Sequence, residues 1–87
     1  MPYIPREARK AIDSWLAIRP GISTTGELNY AITKLVLSHL GWPNVNVNYD
    51  MLQDAIGTLE CVKAELYRRM VSPYENQKRD ENGDVFA

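Results

Sequence analysis

Residues 49–71, YDMLQDAIGTLECVKAELYRRMV, decide the fold. Leu52, Ala55, Ile56, Leu59, Val62, Leu66 and Met70 recur at intervals of three and four, the spacing of one helix face and not the alternation of a strand. Asn48, just before the run, has a side-chain oxygen suited to the unpaired amides of a first helical turn. A stripe this long on one face needs other helices to cover it. The stretch therefore predicts an all-α protein.

Upstream, residues 5–18 place Ala8, Ala11, Ile12, Trp15 and Leu16 on one face, with Arg6, Arg9, Lys10 and Asp13 elsewhere. Pro5 suits a first turn and Arg19-Pro20-Gly21 supplies the stop. The next helix is expected over 25–40. Thr24 and Glu27 have the spacing of a capping box, Gly41 fits the left-handed C-terminal position, and Pro43 prevents continuation. Leu28, Ile32, Leu35, Val36 and Leu40, broadened by Tyr30 and Leu37, mark it as the most enclosed helix, with Trp42 as a lid on one end of the core. Asn-rich residues 44–48 alternate like a strand, but one short segment cannot make a sheet and is read as a loop.

Downstream, Ser72-Pro73-Tyr74-Glu75 has the pattern of a cap, a first-turn proline and a capping box. It predicts that the third helix ends at Val71 and that a fourth, polar helix spans 73–81. Asn82-Gly83 closes that helix, leaving a tail over 82–87 whose Val85 and Phe86 need a surface to rest on. The expected architecture is a small bundle of three main helices with a short C-terminal helix and extended tail, in a single domain over 1–87.

At 87 residues and 45% apolar content, one modest core is the expectation. Ten Lys and Arg against eleven Asp and Glu give a formal net charge of −1, which lacks the basic excess that duplex nucleic acid demands. Cys61 is the only cysteine, so neither an intrachain disulfide nor a cysteine zinc cluster can form. The charged N-terminus, MPYIPREARK, does not resemble a signal peptide, and no apolar run reaches the roughly 18 residues of a membrane span. These features point to a soluble cytoplasmic protein without membrane contact.

Two constellations stand out. Tyr67, Arg68, Arg69 and Tyr74 combine guanidinium groups, which grip phosphate or carboxylate, with rings that stack on bases. They form the candidate ligand site, although adjacent arginines diverge by about 100° and the same residues also read as a solvated basic helix end. Opposite the apolar stripe lie Asp54, Gly57, Cys61 and Ala64, small enough for a second helix to approach closely. With Val85 and Phe86 they are the candidate interface of a homo-oligomer, a dimer or larger.

Catalytic signals are lacking. All-helical nucleotide pyrophosphohydrolases hold Mg²⁺ through carboxylates three residues apart, but here Glu27 is followed by Tyr30, Glu60 by Lys63 and Glu65 by Arg68. Asp50 and Asp54 have no matching pair, His39 has no nucleophile signature beside it, and no glycine-rich phosphate loop is present. No catalytic residue, metal ligand or cofactor is assigned.

The segments GELNYAITKL and NYDMLQDAIGTLECVKAELYRRMVSPYENQKRDENGDV, from Gly26 to Val85, resemble a family of small helical proteins of tailed bacteriophages and prophages. YRRMVSPYE and ENGDV are the most specific portions. The resemblance implies action inside a bacterial host cell and brings no activity or catalytic residue with it. The expected function is a non-enzymatic accessory or counter-defence protein binding a host protein or a small anionic, nucleotide-like ligand. The alternatives are a degenerate pyrophosphohydrolase-like enzyme and a structural component of a phage particle.

Overall fold

The computed structural model describes residues 3–44 and 46–86, so Val45 of the loop and Ala87 of the expected tail lie outside the described residues. The chain is all-α: α1 (Arg6–Ile18), α2 (Thr25–Leu40), α3 (Tyr49–Leu66), a π turn (Tyr67–Val71) and α4 (Ser72–Asn82). It divides into two units, one spanning Pro2–Ala55 and the other running from Ile56.

In the first unit the helix boundaries follow local chemistry. The Pro5 carbonyl accepts from the amides of Ala8 and Arg9 at 3.0 and 3.3 Å. At the other end, Arg19 is extended, as the residue before a proline must be. Thr24 and Glu27 form the expected capping box: the Glu27 amide donates to Thr24 Oγ1 and the Thr24 amide to Glu27 Oε1, both at 3.0 Å. The Ser23 hydroxyl adds a bond to the same carboxylate oxygen at 3.2 Å. These donors, the Thr24 hydroxyl first and then the Thr24 and Ser23 amides, hold the Glu27 carboxyl below its ordinary pKa of 4.5.

Helix α2 ends on Gly41 at φ +85, with the Gly41 amide on the Ser38 carbonyl and the Trp42 amide on the Leu37 carbonyl. This is a Schellman ending, and a side chain at position 41 would strain it. Asn48 caps α3 through its Oδ1, 2.9 Å from the Met51 amide. The described part of the preceding loop has no regular structure, as expected.

Packing departs from expectation. No described residue is buried. In α2 only Ala31, Val36, Leu37 and Leu40 reach half-burial, so it is relatively enclosed without being a core helix. Trp42, expected as a lid, is 59% exposed. Trp15 and Leu16 of α1 and Leu28, Ile32 and Leu35 of α2 instead line an open apolar groove of about 400 Å³. Amphipathic periodicity fixed which faces are apolar, but it carried no information on whether the same chain covers them.

The second unit is a helical run followed by a tail, and here the reading of Ser72-Pro73 is corrected. The helix does not break. Val71 and Ser72 both keep right-handed helical backbone angles, and no side-chain cap is made. The Ser72 amide reaches back five residues to the Tyr67 carbonyl, widening one turn. Pro73 is the physical reason: inside an α-helix its ring collides with the carbonyl four residues earlier, and a wider turn relieves the collision. Asn82-Gly83 ends α4 as expected, with Gly83 at φ +90 and its amide on the Arg79 carbonyl at 2.8 Å. Beyond it, the Phe86 amide bonds Asp84 Oδ1 at 2.9 Å, while Val85 and Phe86 are 91% and 96% exposed. Among the described residues, no helix is long and apolar enough to cross a membrane.

Candidate functional site

The basic-aromatic surface is built on the π turn. Glu65, at the end of α3, stands three residues before Arg68 and four before Arg69, and both spacings bring side chains together on a helix. Its Oε1 accepts from Arg68 Nη2 at 2.8 Å and from Arg69 Nε at 3.1 Å. Adjacent arginines, expected to diverge, are thus drawn toward one carboxylate oxygen. Their own side chains remain well exposed.

The two tyrosines are placed by α4. The Tyr67 hydroxyl donates to Glu75 Oε1 at 3.2 Å, spanning the widened turn. Glu75, expected to close a capping box onto Ser72, serves Tyr67 instead. The Tyr74 ring lies 5.6 Å from Lys78 Nζ, a cation–π contact across one helical turn. Tyr67, Arg68, Arg69 and Tyr74 are therefore all exposed and all on one short stretch of the second unit.

Chemically, the surface can present two guanidinium groups to an anion, but only in competition with the carboxylate of Glu65. Sequence reading missed this clamp. The three- and four-residue spacings of Glu65 to Arg68 and Arg69 were sufficient to find it, and so was the Tyr74–Lys78 spacing. The Tyr67–Glu75 bond, eight residues apart, had no such signal.

The candidate interface residues Asp54, Gly57, Cys61 and Ala64 lie on the side of α3 turned away from Leu59 and Leu66, by the 100° advance per residue. Cys61 is an exposed thiol. Around Gly57 there is open space, since a side-chain carbon there would meet nothing within 4 Å. Among the described residues, no three His, Cys, Asp or Glu side chains converge as metal ligands.

A family model described as a domain of unknown function, DUF6899, matches residues 1–85. The chain belongs to this family. The match takes in both units and the whole basic-aromatic surface, so the π turn lies inside the DUF6899 domain. No curated protein and no solved structure matches the chain.

Proposed function

We propose that this DUF6899 chain is a non-enzymatic binding protein that acts as a homo-oligomer in the bacterial cytoplasm, as an accessory or counter-defence factor of phage or prophage origin. The observation that carries the oligomer is the absence of any buried described residue in a chain whose first three helices each have an apolar face. Ordering a residue costs about 1–2 kcal/mol of backbone entropy, which folded chains recover mainly by burying apolar surface. Self-association supplies the missing cover and offers Val85 and Phe86 of the tail a place to dock.

The anionic, nucleotide-like ligand rests on Tyr67, Arg68, Arg69 and Tyr74, all exposed within one short stretch of helix. The phage origin rests on the resemblance of YRRMVSPYE and ENGDV. Binding without turnover follows from the lack of any assigned nucleophile, base or metal pair. Native mass spectrometry with added nucleoside triphosphates tests the reading. An oligomer that holds nucleotide, returns it unchanged on denaturation and loses it in Arg68→Ala/Arg69→Ala supports it. A monomer at every concentration, or conversion of the nucleotide, overturns it; an oligomer that ignores nucleotide but retains a specific host protein redirects it to that partner.

A further inference from the structure

Asn82 is the single asparagine of the chain that precedes a glycine. Asparagine is a thermolabile side chain because the amide nitrogen of the following residue can attack it, and a glycine there has no Cβ to crowd the approach. Both residues are open to water. Asn82 is exposed, and with Gly83 it lines a hollow of about 440 Å³ between α4 and the tail. A side-chain carbon at Gly83 would meet nothing within 4 Å.

The structure also gates this pair. Asn82 is the last residue of α4, and the Gly83 amide donates to the Arg79 carbonyl at 2.8 Å. That nitrogen becomes a nucleophile only by losing its proton, which the bond to Arg79 retains. Closing a five-membered ring also requires Asn82 to leave its helical backbone angles. The last turn of α4 must therefore open first. Glu81 helps to keep it shut, accepting from Gln77 Nε2 at 3.1 Å and from Lys78 Nζ at 3.3 Å. We infer that Asn82-Gly83 is a self-modifying site, at which Asn82 converts to aspartate and isoaspartate at a rate set by the opening of the final turn of α4. The inference is independent of the binding function proposed above.

The step balances with solvent water as the only co-reactant. A bond forms from Gly83 N to Asn82 Cγ, the Cγ–Nδ2 bond breaks, and Nδ2 leaves as ammonia with the proton that Gly83 gave up. Water then opens the cyclic imide. Addition at Cγ gives aspartate, whereas addition at the main-chain carbonyl gives isoaspartate, with one more carbon in the backbone.

Either product changes the tail. A carboxylate replaces a neutral amide at the negative end of the α4 dipole, two residues before Asp84, and makes the net charge of −1 more negative by one. The isoaspartyl link also lengthens the main chain between α4 and the turn in which the Phe86 amide bonds Asp84 Oδ1 at 2.9 Å. Val85 and Phe86 are then re-aimed relative to α4.

Peptide mapping by mass spectrometry after incubation at mildly alkaline pH tests the site and its gate, with the full chain in guanidinium chloride as the open reference. Conversion is expected at Asn82, with both products present, and about tenfold slower in the folded chain than in denaturant, because helix ends open locally at small cost. Glu81→Gly removes both side-chain bonds and loosens the last turn, so the folded rate relative to the denatured rate is expected to rise about fivefold. Taking that ratio corrects for any direct effect on the chemistry. Gly83→Ala is expected to slow conversion in both conditions. No conversion of the folded chain over several weeks, or conversion centred on another asparagine, would overturn the site. Equal folded and denatured rates, or a ratio that Glu81→Gly leaves unchanged, would overturn the gate.

Discussion

At Glu65 one carboxylate oxygen holds two arginines, so substitution there separates their structural role from any role in binding. Exposed ion pairs of this kind contribute roughly 0.3–0.5 kcal/mol each, so Glu65→Gln is expected to lower stability by less than about 1 kcal/mol. If Arg68 and Arg69 bind anions, the same change removes their competitor, and calorimetric titration with inorganic pyrophosphate should show tighter binding than the unsubstituted chain. Unchanged or weaker binding would assign the arginines to holding the helix alone. Glu27 is the second informative residue. Its folded pKa is lowered, so its contribution is present above the ordinary value of 4.5 and is lost as pH falls through the depressed folded value. Helical circular dichroism followed from about pH 6 to pH 3 should show α2 weakening with acid, and Glu27→Gln should flatten that part of the profile. Thr24→Ala, which removes the hydroxyl from the same box, is expected to cost about 1 kcal/mol at neutral pH.

The α3–α4 junction shows how far helix punctuation can be read from sequence. Thr24–Glu27, Asn48 and Gly41 were legible because each acts within a few residues of itself, through a bond its own side chain or backbone makes. Ser72-Pro73 was misread because a proline in a first turn and a proline beside a widened turn have the same local sequence. Which one forms depends on whether the preceding turn widens, and on Glu75 finding the Tyr67 hydroxyl eight residues back instead of the Ser72 backbone. If Pro73 causes the widening, Pro73→Ala restores an amide to the helix and removes the ring. Denaturant titration should then show a gain, smaller than the roughly 3 kcal/mol cost of a proline in a regular helix because the π turn already absorbs part of it. The Tyr67–Glu75 bond should weaken as the turn tightens, so Tyr67→Phe should cost less in the Pro73→Ala background than alone. Additive effects of the two substitutions would separate the bond from the turn.

Across the whole molecule, the apolar stripes were legible and their covering was not. A face such as Leu52, Ile56, Leu59, Val62, Leu66 has the same periodicity whether it packs on a neighbouring helix of its own chain or on another chain, because periodicity records what a face needs and not what supplies it. The same limit applies to Trp42, expected as a lid and found exposed, and to the apolar faces of α1 and α2, which line an open groove. Each half-exposed Leu, Ile or Met leaves on the order of 1 kcal/mol of transfer free energy unrealised, so the isolated chain sits far from the stability that its apolar content allows. If association supplies the remainder, folding and assembly are one equilibrium, and stability must depend on protein concentration. For two chains unfolding together, each tenfold dilution is expected to lower the melting midpoint by about 3–5 °C. Melts recorded over a hundredfold range of concentration would show that slope for a coupled oligomer, whereas a midpoint indifferent to dilution would mean that the chain finds its cover within itself.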